Sequence, residues 1–441
     1  MGYLSRAFEK RASADIIGLS PGDPALAAFW GGPSTASVQD VSSDTALRVS
    51  TVFACVNRIS QTLAMLPLLT MHDLPGGGHE IAKSHRLYKQ LRYQSNRWQT
   101  AYDFRLMMQA HVLLRGNGYA RIVSAPGRGI NELVPMHPDR VWPFVITPNG
   151  VTYYMYDNSP PPPPGSKLFF QYFPINANME ILLQSEVFHV TGLSTNGIVG
   201  INPIKKLREA IGLAMATEEH GARVFSNGAQ ISKAFRHPNK LSKDAYDRLK
   251  SSLGSEFQGV RNSNKTIILE EGMDISTLSM TSEDAQFLET RAFQVEDIAR
   301  IFSVPLVLIG HSGDKASTYA SAEQFVASFI THTMQPHFVS WEQAIQRDLF
   351  YPSEMGIYRA AFNVDEMLRG DMAGRAAYYT ARFGVASISP DEIRAKEGES
   401  PIADGSGTKH YIMSNMIPLE MAGINAVPKA KHPGAIDGQS A

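Results

Sequence analysis

The chain predicts an α+β fold, in which helices and strands are segregated along the sequence instead of alternating. Three observations point there. Helical apolar spacing flanks a block from Tyr119 to Val190 whose period is two. Two helical patterns, Pro203–Ser226 and Ser282–Val304, bracket a small insert of mixed pattern. A third helical pattern then runs from about Ser317 to Phe350, about 50 Å long at 1.5 Å per residue. At about 150 residues per domain, 441 residues suggest two or three domains.

Residues 1–43 mix Gly, Pro, Ser and Ala without sustained periodicity and read as a mobile arm. Val52, Val56, Ile59, Leu63 and Leu66 then recur on one face of a first core-facing helix. Thr100 caps a second helix with Asp103 at the third position, and that helix runs to about Arg115, where Gly116-Asn117-Gly118 breaks it. Short strands follow at Tyr119–Val123, Glu132–Met136, Arg140–Ile146 and Val151–Tyr156, with Pro148-Asn149-Gly150 as a turn between the last two. Pro160–Pro164 cannot pair in a sheet and reads as a stiff extended surface loop, with recognition by a proline-binding partner as the alternative.

Asn202-Pro203 joins a cap to a proline at the first helical position and opens a helix to about Ser226, with Ile204, Leu207, Ile211, Ala214, Ala222 and Phe225 as its stripe. Residues 229–280 read as a strand–helix–strand insert. Ser242 caps its helix, Leu249, Leu253 and Phe257 carry the apolar face, and Lys265–Glu270 form a strand. Thr281-Ser282-Glu283-Asp284 starts the next helix, along which Leu288, Ala292, Val295, Ala299 and Phe302 recur until Pro305 ends it. In the long pattern beyond, Phe325, Phe329, Phe338, Trp341, Ile345 and Leu349 share a face. Pro336 lies inside it and should kink the helix, since the periodicity resumes afterwards.

Composition narrows the function. The chain has 41 basic and 42 acidic residues, a balance that argues against a tight duplex-gripping protein and suits one along which DNA slides. One cysteine, Cys55, excludes an intrachain disulfide and fits a reducing cytosol. No apolar run approaches the roughly 18 residues of a bilayer span, and Met1–Leu19 lacks the apolar centre of a signal peptide, so synthesis in the cytoplasm without membrane attachment is expected. No catalytic motif survives inspection. Gly310-His311-Ser312-Gly313 is one residue short of a nucleophile elbow, and in Gly313-Asp314-Lys315-Ala316-Ser317 the spacing of a phosphate loop is wrong. His79-Glu80 with His85 misses the zinc-pair spacing, and His332 and His337, five apart, do not share an α-helical face. No cofactor or metal is expected.

Wording adds what periodicity cannot. Ala285–Arg291, Ile298-Ala299-Arg300-Ile301-Phe302-Ser303-Val304-Pro305, Ile309-Gly310-His311, Trp341–Ile345, Arg347-Asp348-Leu349, Phe362–Asp365, Leu368–Asp371 and Val52–Val56 occur in an order that resembles the portal proteins of tailed bacteriophages, of the Hong Kong phage-like family, over about residues 44–420. The resemblance implies a portal fold: wing at 44–202, stem helices at 203–227 and 281–304, and a clip insert at 228–280. It further implies a tunnel loop at 305–316, a long kinked helix with wing return at 317–364, a small helical crown at 365–420, and a disordered tail at 421–441.

It also implies a cyclic ring of about twelve copies at one capsid vertex, through which double-stranded DNA is packaged and ejected without sequence specificity. The partners would be the large terminase, head–tail connector proteins and the major capsid protein. The implied site residues are Gly310, His311, Ser312, Gly313, Asp314 and Lys315 in the tunnel loop, and Lys240, Lys243, Arg248 and Lys250 on the clip. Leu207, Ile211, Leu288 and Val295 would be the subunit contacts of the stem. The alternative is a DNA-associated packaging enzyme, a nuclease or NTPase subunit. That reading requires a carboxylate cluster or phosphate loop that the sequence does not display.

Overall fold

A computed structural model describes residues 35–37, 39–125, 129–226, 233–236, 243, 274–277, 283–311, 325–364 and 372–411. The chain divides into two units, Met1–Asn363 and Val364–Ala441.

The first unit holds the sheets. Helix α1 (Ser50–Met65) buries Val52, Cys55, Val56, Ile59 and Leu63, the face that its apolar spacing predicts. Strands β1 (Leu68–Asp73) and β2 (His79–Ile81) follow, then the short helix α2 (Tyr88–Arg92) and the hairpin β3 (Gln94–Asn96) and β4 (Gln99–Thr100). In α3 (Ala101–Arg115) the Thr100 hydroxyl accepts from the Asp103 N–H, a full capping box, and Gly116 at φ 80° ends the helix. The tight exit is enforced by packing: a Cβ on Gly200 would lie 1.9 Å from the Gly116 carbonyl oxygen.

Seven strands occupy the period-two block. In chain order they are β5 (Asn117–Ala125), β6 (Gly129–Met136), β7 (Val141–Ile146), β8 (Thr152–Tyr154), β9 (Lys167–Tyr172), β10 (Glu180–Leu183) and β11 (Val187–Thr191). They form two antiparallel sheets, in the orders β11-β5-β6 and β10-β9-β7-β8. Tyr119, Met136, Val141, Phe170, Leu182 and Val187 make a common core. A third sheet closes over long sequence separation, with β14 (Tyr358–Phe362) pairing antiparallel to β1, Leu68 opposite Phe362. Its two partners are far apart in sequence and short, so local pattern did not expose them.

Helices α4 (Pro203–Lys206) and α5 (Arg208–Ser226) occupy the segment expected to be the first stem helix. The Asn202 side chain accepts from the Lys205 N–H as expected of its cap, but the predicted single helix is interrupted at Leu207, whose ψ is 4°. Strands β12 (Lys233–Arg236) and β13 (Asp274–Thr277) pair antiparallel, bringing the two ends of the insert together. The capped helix at 242–257 and the strand at 265–270 lie outside the described residues, apart from exposed Lys243.

Helix α6 (Glu283–Ile301) stops before Pro305. Ser303 turns left-handed, at φ 55°, and the Ser303 and Val304 N–H groups close back on the Arg300 and Ala299 carbonyls. The predicted terminus is thereby corrected: a left-handed serine, not the proline, ends the helix. After residues 325–328, helical in the structure, come a π-helical stretch, Phe329–Met334, and then α7 (Gln335–Asp348). The expected proline kink is a π turn. Pro336 brings no N–H and would strike the carbonyl four residues back in an α-helix; bonding to a residue five away relieves both demands.

The mobile-arm boundary also moves. Thr35 is buried, the Thr35 hydroxyl bonds within the 35–39 turn, and Val41 and Ala46 join the core. Residues 35–37 and 39–43 are therefore packed, and residues 1–34 and 38 lie outside the description.

The second unit contains α8 (Met372–Gly384) and α9 (Pro390–Glu397), the latter opened by a Ser389–Glu392 capping box. The tail at 421–441 lies outside the described residues.

Candidate functional site

The site the sequence nominates is the α5–α6 pair with the loop that follows it. Helices α5 and α6 meet through Gln294, whose Nε2 donates to the Thr217 hydroxyl at 3.0 Å, and through Arg291, 3.7 Å from the Glu218 carboxylate. Ile211, Ala214, Ile298, Ala299, Phe302 and Val304 are buried. The packed N-terminal segment lies on the outer side of α5. The Ala36 N–H donates to Glu209, Gln39 donates to Glu219, and the Thr35 side chain would collide with any Cβ on Gly212.

This arrangement corrects one expected subunit contact. Ile211 has no exposed surface within its own protomer, because the stripe of α5 is covered by the chain itself. Leu207 and Val295 are half-buried, and the Leu288 side chain lies outside the described residues. Among the described residues of α5 and α6, the large apolar side chains that face outward are Leu213, 49% exposed, Phe293, 59%, and Ile301, 39%. At Ile211 sequence periodicity selected an inward-facing position, since period alone does not tell which neighbour covers a face.

Of the expected tunnel loop, the described residues form a 3₁₀ turn, Leu306–Ile309, closed by Gly310 at φ 76°. The Arg58 guanidinium of α1 donates to the Leu308 carbonyl at 3.1 Å and holds the start of this loop. His311 is half-buried; Ser312, Gly313, Asp314 and Lys315 lie outside the described residues. So do Lys240, Arg248 and Lys250, which leaves the expected clip face represented by Lys243 alone. Among the described residues no three His, Cys, Asp or Glu side chains are grouped to hold a metal ion, and no helix is long and apolar enough to cross a membrane.

What the sequence words at Trp341–Leu349 do becomes clear only in three dimensions. The Trp341 indole N–H donates to Gln109 Oε1 at 2.9 Å, and Gln109 Nε2 donates to His337 Nδ1 at 3.2 Å, which places the His337 proton on Nε2. Burial pushes that imidazole down to about 4. One turn on, α7 seals the free edges of two sheets. The Asp348 carboxylate accepts from the His189 N–H of β11 at 3.0 Å, the Arg347 guanidinium donates to the His189 carbonyl at 2.6 Å, and Ser340 donates to the Thr191 carbonyl. On β14, Glu342 accepts from the Phe362 N–H at 2.9 Å and Gln346 donates to the Tyr358 carbonyl. Burial raises the Glu342 carboxyl, with that N–H and Arg359 opposing.

The helix thus occupies the place of a neighbouring strand on both edges, removing the unpaired backbone that an edge otherwise presents. Its upstream end is tied to the end of α6, because the Thr333 hydroxyl donates to the carbonyl of left-handed Ser303. Where β5 meets the segment leading into α4, Asn117 accepts from the Gly200 N–H and from His189 Nε2, and its Nδ2 donates to the Gly200 carbonyl. Burial and the nearby Arg347 hold His189 well below the usual imidazole range, so it is neutral. Among the described residues, these buried polar groups join elements that are far apart in sequence.

A family model described as phage portal protein matches residues 50–398. The chain is 28% identical over 390 residues to the portal protein of Enterobacteria phage HK97, covering 88% of this chain and 87% of that one. It is 29% identical over 425 residues to a probable portal protein of Streptomyces phage phiC31, covering 94% and 89%. Among solved structures, the neck of an empty gene transfer agent particle, computed with C6 symmetry, aligns with a TM-score of 0.54 at 21% identity, over 82% of this chain and 94% of that one. That likeness is one of fold.

Proposed function

The chain belongs to the phage portal protein family, and on that premise we propose that it assembles into a cyclic ring at one vertex of a capsid and conducts double-stranded DNA. The match over residues 50–398 carries this reading. The stem supports it physically: Leu213, Phe293 and Ile301 are large apolar side chains that their own protomer leaves exposed, and a neighbouring copy would cover them. About twelve copies would close the ring. The segment that starts at Leu306 would line the channel, with Gly310, His311, Ser312, Gly313, Asp314 and Lys315 facing the duplex.

Asp314 offsets Lys315 there, so that few fixed cations would add affinity and drag to a moving polyanion. The insert between β12 and β13, with Lys240, Lys243, Arg248 and Lys250, would meet the large terminase and later the head–tail connector proteins, and the wing would meet the major capsid protein. The family is structural, and the scaffold role of its polar groups suits a conduit better than a nuclease or NTPase subunit.

Light scattering after size exclusion, with an averaged electron-microscopy top view, tests the reading. The wild-type chain should run at many times the 48.5 kDa protomer and show rotational symmetry. Leu213→Asp combined with Phe293→Asp should shift it toward the protomer with helical content unchanged, since burying an unpaired carboxylate costs several kcal/mol. A wild-type chain that stays a protomer at all concentrations would overturn the portal ring. Intact rings in the double variant would move the contact off the stem.

A further inference from the structure

Charge is balanced over the whole chain but not along it. From Ala82 to Tyr102 there are five cationic side chains, Lys83, Arg86, Lys89, Arg92 and Arg97, and no Asp or Glu. Arg86 is taken up by Glu354 at 2.8 Å. Lys89 and Arg92 stand three apart on α2, so they are neighbours on its surface, and no ion pair engages either among the described residues.

Aromatic rings stand beside these cations. The Arg92 guanidinium lies over the Tyr93 ring at 5.5 Å, and the Tyr88 ring meets Tyr93 edge-on at 5.9 Å. Arg97 and Trp98 form the tip of the β3–β4 hairpin. That tip is held by Asn96, whose Oδ1 accepts from the Trp98 and Gln99 N–H groups and whose Nδ2 donates to the Leu133 carbonyl of β6. Ser95 ties the same hairpin to α2 by donating to the Gln90 carbonyl. On this fixed backbone Tyr93 is 59% exposed and Trp98 61%. The two nearby carboxylates are engaged: Glu132 accepts from Arg97 Nε at 3.2 Å, and Asp103 closes the Thr100 cap. Arg97 is still 74% exposed, and such a surface pair is weak, so another anion can take the guanidinium.

We infer that this surface binds single-stranded nucleic acid, with Lys89, Arg92 and Arg97 on its phosphates and Tyr93 and Trp98 stacked on unpaired bases. The inference goes beyond the portal reading and does not depend on it, because every residue involved lies in one protomer. The large apolar side chains exposed from Ala82 to Tyr102 are Tyr93, Trp98 and Tyr102, all aromatic. Rings beside cations, without aliphatic neighbours, are the composition of a stacking platform, which accepts any base because each has a π-face. A duplex keeps its bases stacked on one another and would use the cations alone. An acidic peptide would likewise satisfy the cations and leave the rings without a flat partner. Because Asn96 and Ser95 already fix the hairpin, little ordering remains to be done on binding.

Fluorescence anisotropy of the full chain tests this, with labelled oligothymidine and oligouridine of about 20 nucleotides and a duplex of the same length. Both single strands should bind, and the tighter of the two names the source, DNA or RNA. Trp98→Ala should weaken single-strand binding about tenfold, and Trp98→Phe should restore most of it. Lys89→Glu with Arg92→Glu should weaken it further and flatten the slope of log affinity against log salt by about 1.4, two phosphate contacts' worth. Reversal of exposed Lys409 to Glu should change neither quantity. Duplex binding, to which a ring's channel can contribute, should be indifferent to Trp98→Ala. No binding of either single strand at about 100 µM protein in low salt would overturn the inference. So would single-strand binding that survives Trp98→Ala, or an equal loss for the duplex. Displacement of oligothymidine by polyglutamate at equal charge would overturn it too, and would mark an acidic protein as the occupant.

Discussion

Asp348 and Arg347 grip a single residue, His189, from both sides of its peptide unit. Asp348 is buried to 3% side-chain exposure and is also paired with Arg347 at 2.7 Å. Replacing it by alanine leaves a buried N–H without an acceptor and removes a charge partner. Asp348→Ala should therefore lower unfolding free energy by roughly 2–4 kcal/mol in urea denaturation. Asparagine keeps an acceptor oxygen near the His189 N–H, so Asp348→Asn should cost less than half as much. Equal losses in the two variants would mean that the ion pair, and not the sealed strand edge, carries the effect.

The terminus of α6 and the π turn before α7 are neighbours in space, because Thr333 donates to the Ser303 carbonyl. Ser303 adopts φ 55° and is exposed, so its side chain has little packing to lose. A non-glycine residue there carries about 1 kcal/mol of backbone strain, more if it is β-branched. Ser303→Gly should be neutral or stabilising by up to about 1 kcal/mol, and Ser303→Val should destabilise by about 1–2 kcal/mol, both read from thermal midpoints. A glycine variant well below wild type would show that the serine hydroxyl, not the turn, secures the entry to the loop that starts at Leu306.

Largely enclosed neutral histidines lower the stability of the first unit in acid. Burial, then the neighbouring His137 and Arg115, lowers His111 to about 4; burial lowers His337 to about 4. In the unfolded chain both titrate near 6.5. Between these values the unfolded state binds protons that the folded state does not, so stability is full above about 6.5 and falls as the pH drops toward 4. Each histidine contributes a slope of about 1.4 kcal/mol per pH unit inside that window. A urea series from pH 7.5 to 4 should show this decline, and replacing His337 by glutamine should remove at most about a third of it, since His111 and the neutral His189 carry the rest. A flat profile would mean that both rings are solvated.

The amino-acid sequence determined what is local. A capping box at Thr100 or Ser389, a proline after Asn202, a period of two or 3.6 residues each act within one or two turns of backbone, so the α+β class and most element positions follow from them. The family could also be read, because runs such as Ile298–Pro305 and Trp341–Leu349 keep their wording. Tertiary structure alone decided what depends on a distant neighbour. It paired β1 with β14, enclosed Ile211 while leaving Leu213 outside, docked Thr35 over Gly212, and placed a π turn just before Pro336. It also assigned Arg347 and Asp348 to a strand edge 158 and 159 residues away. A side chain's partner across such a separation is chosen by the packing of everything between, and no local spacing encodes it.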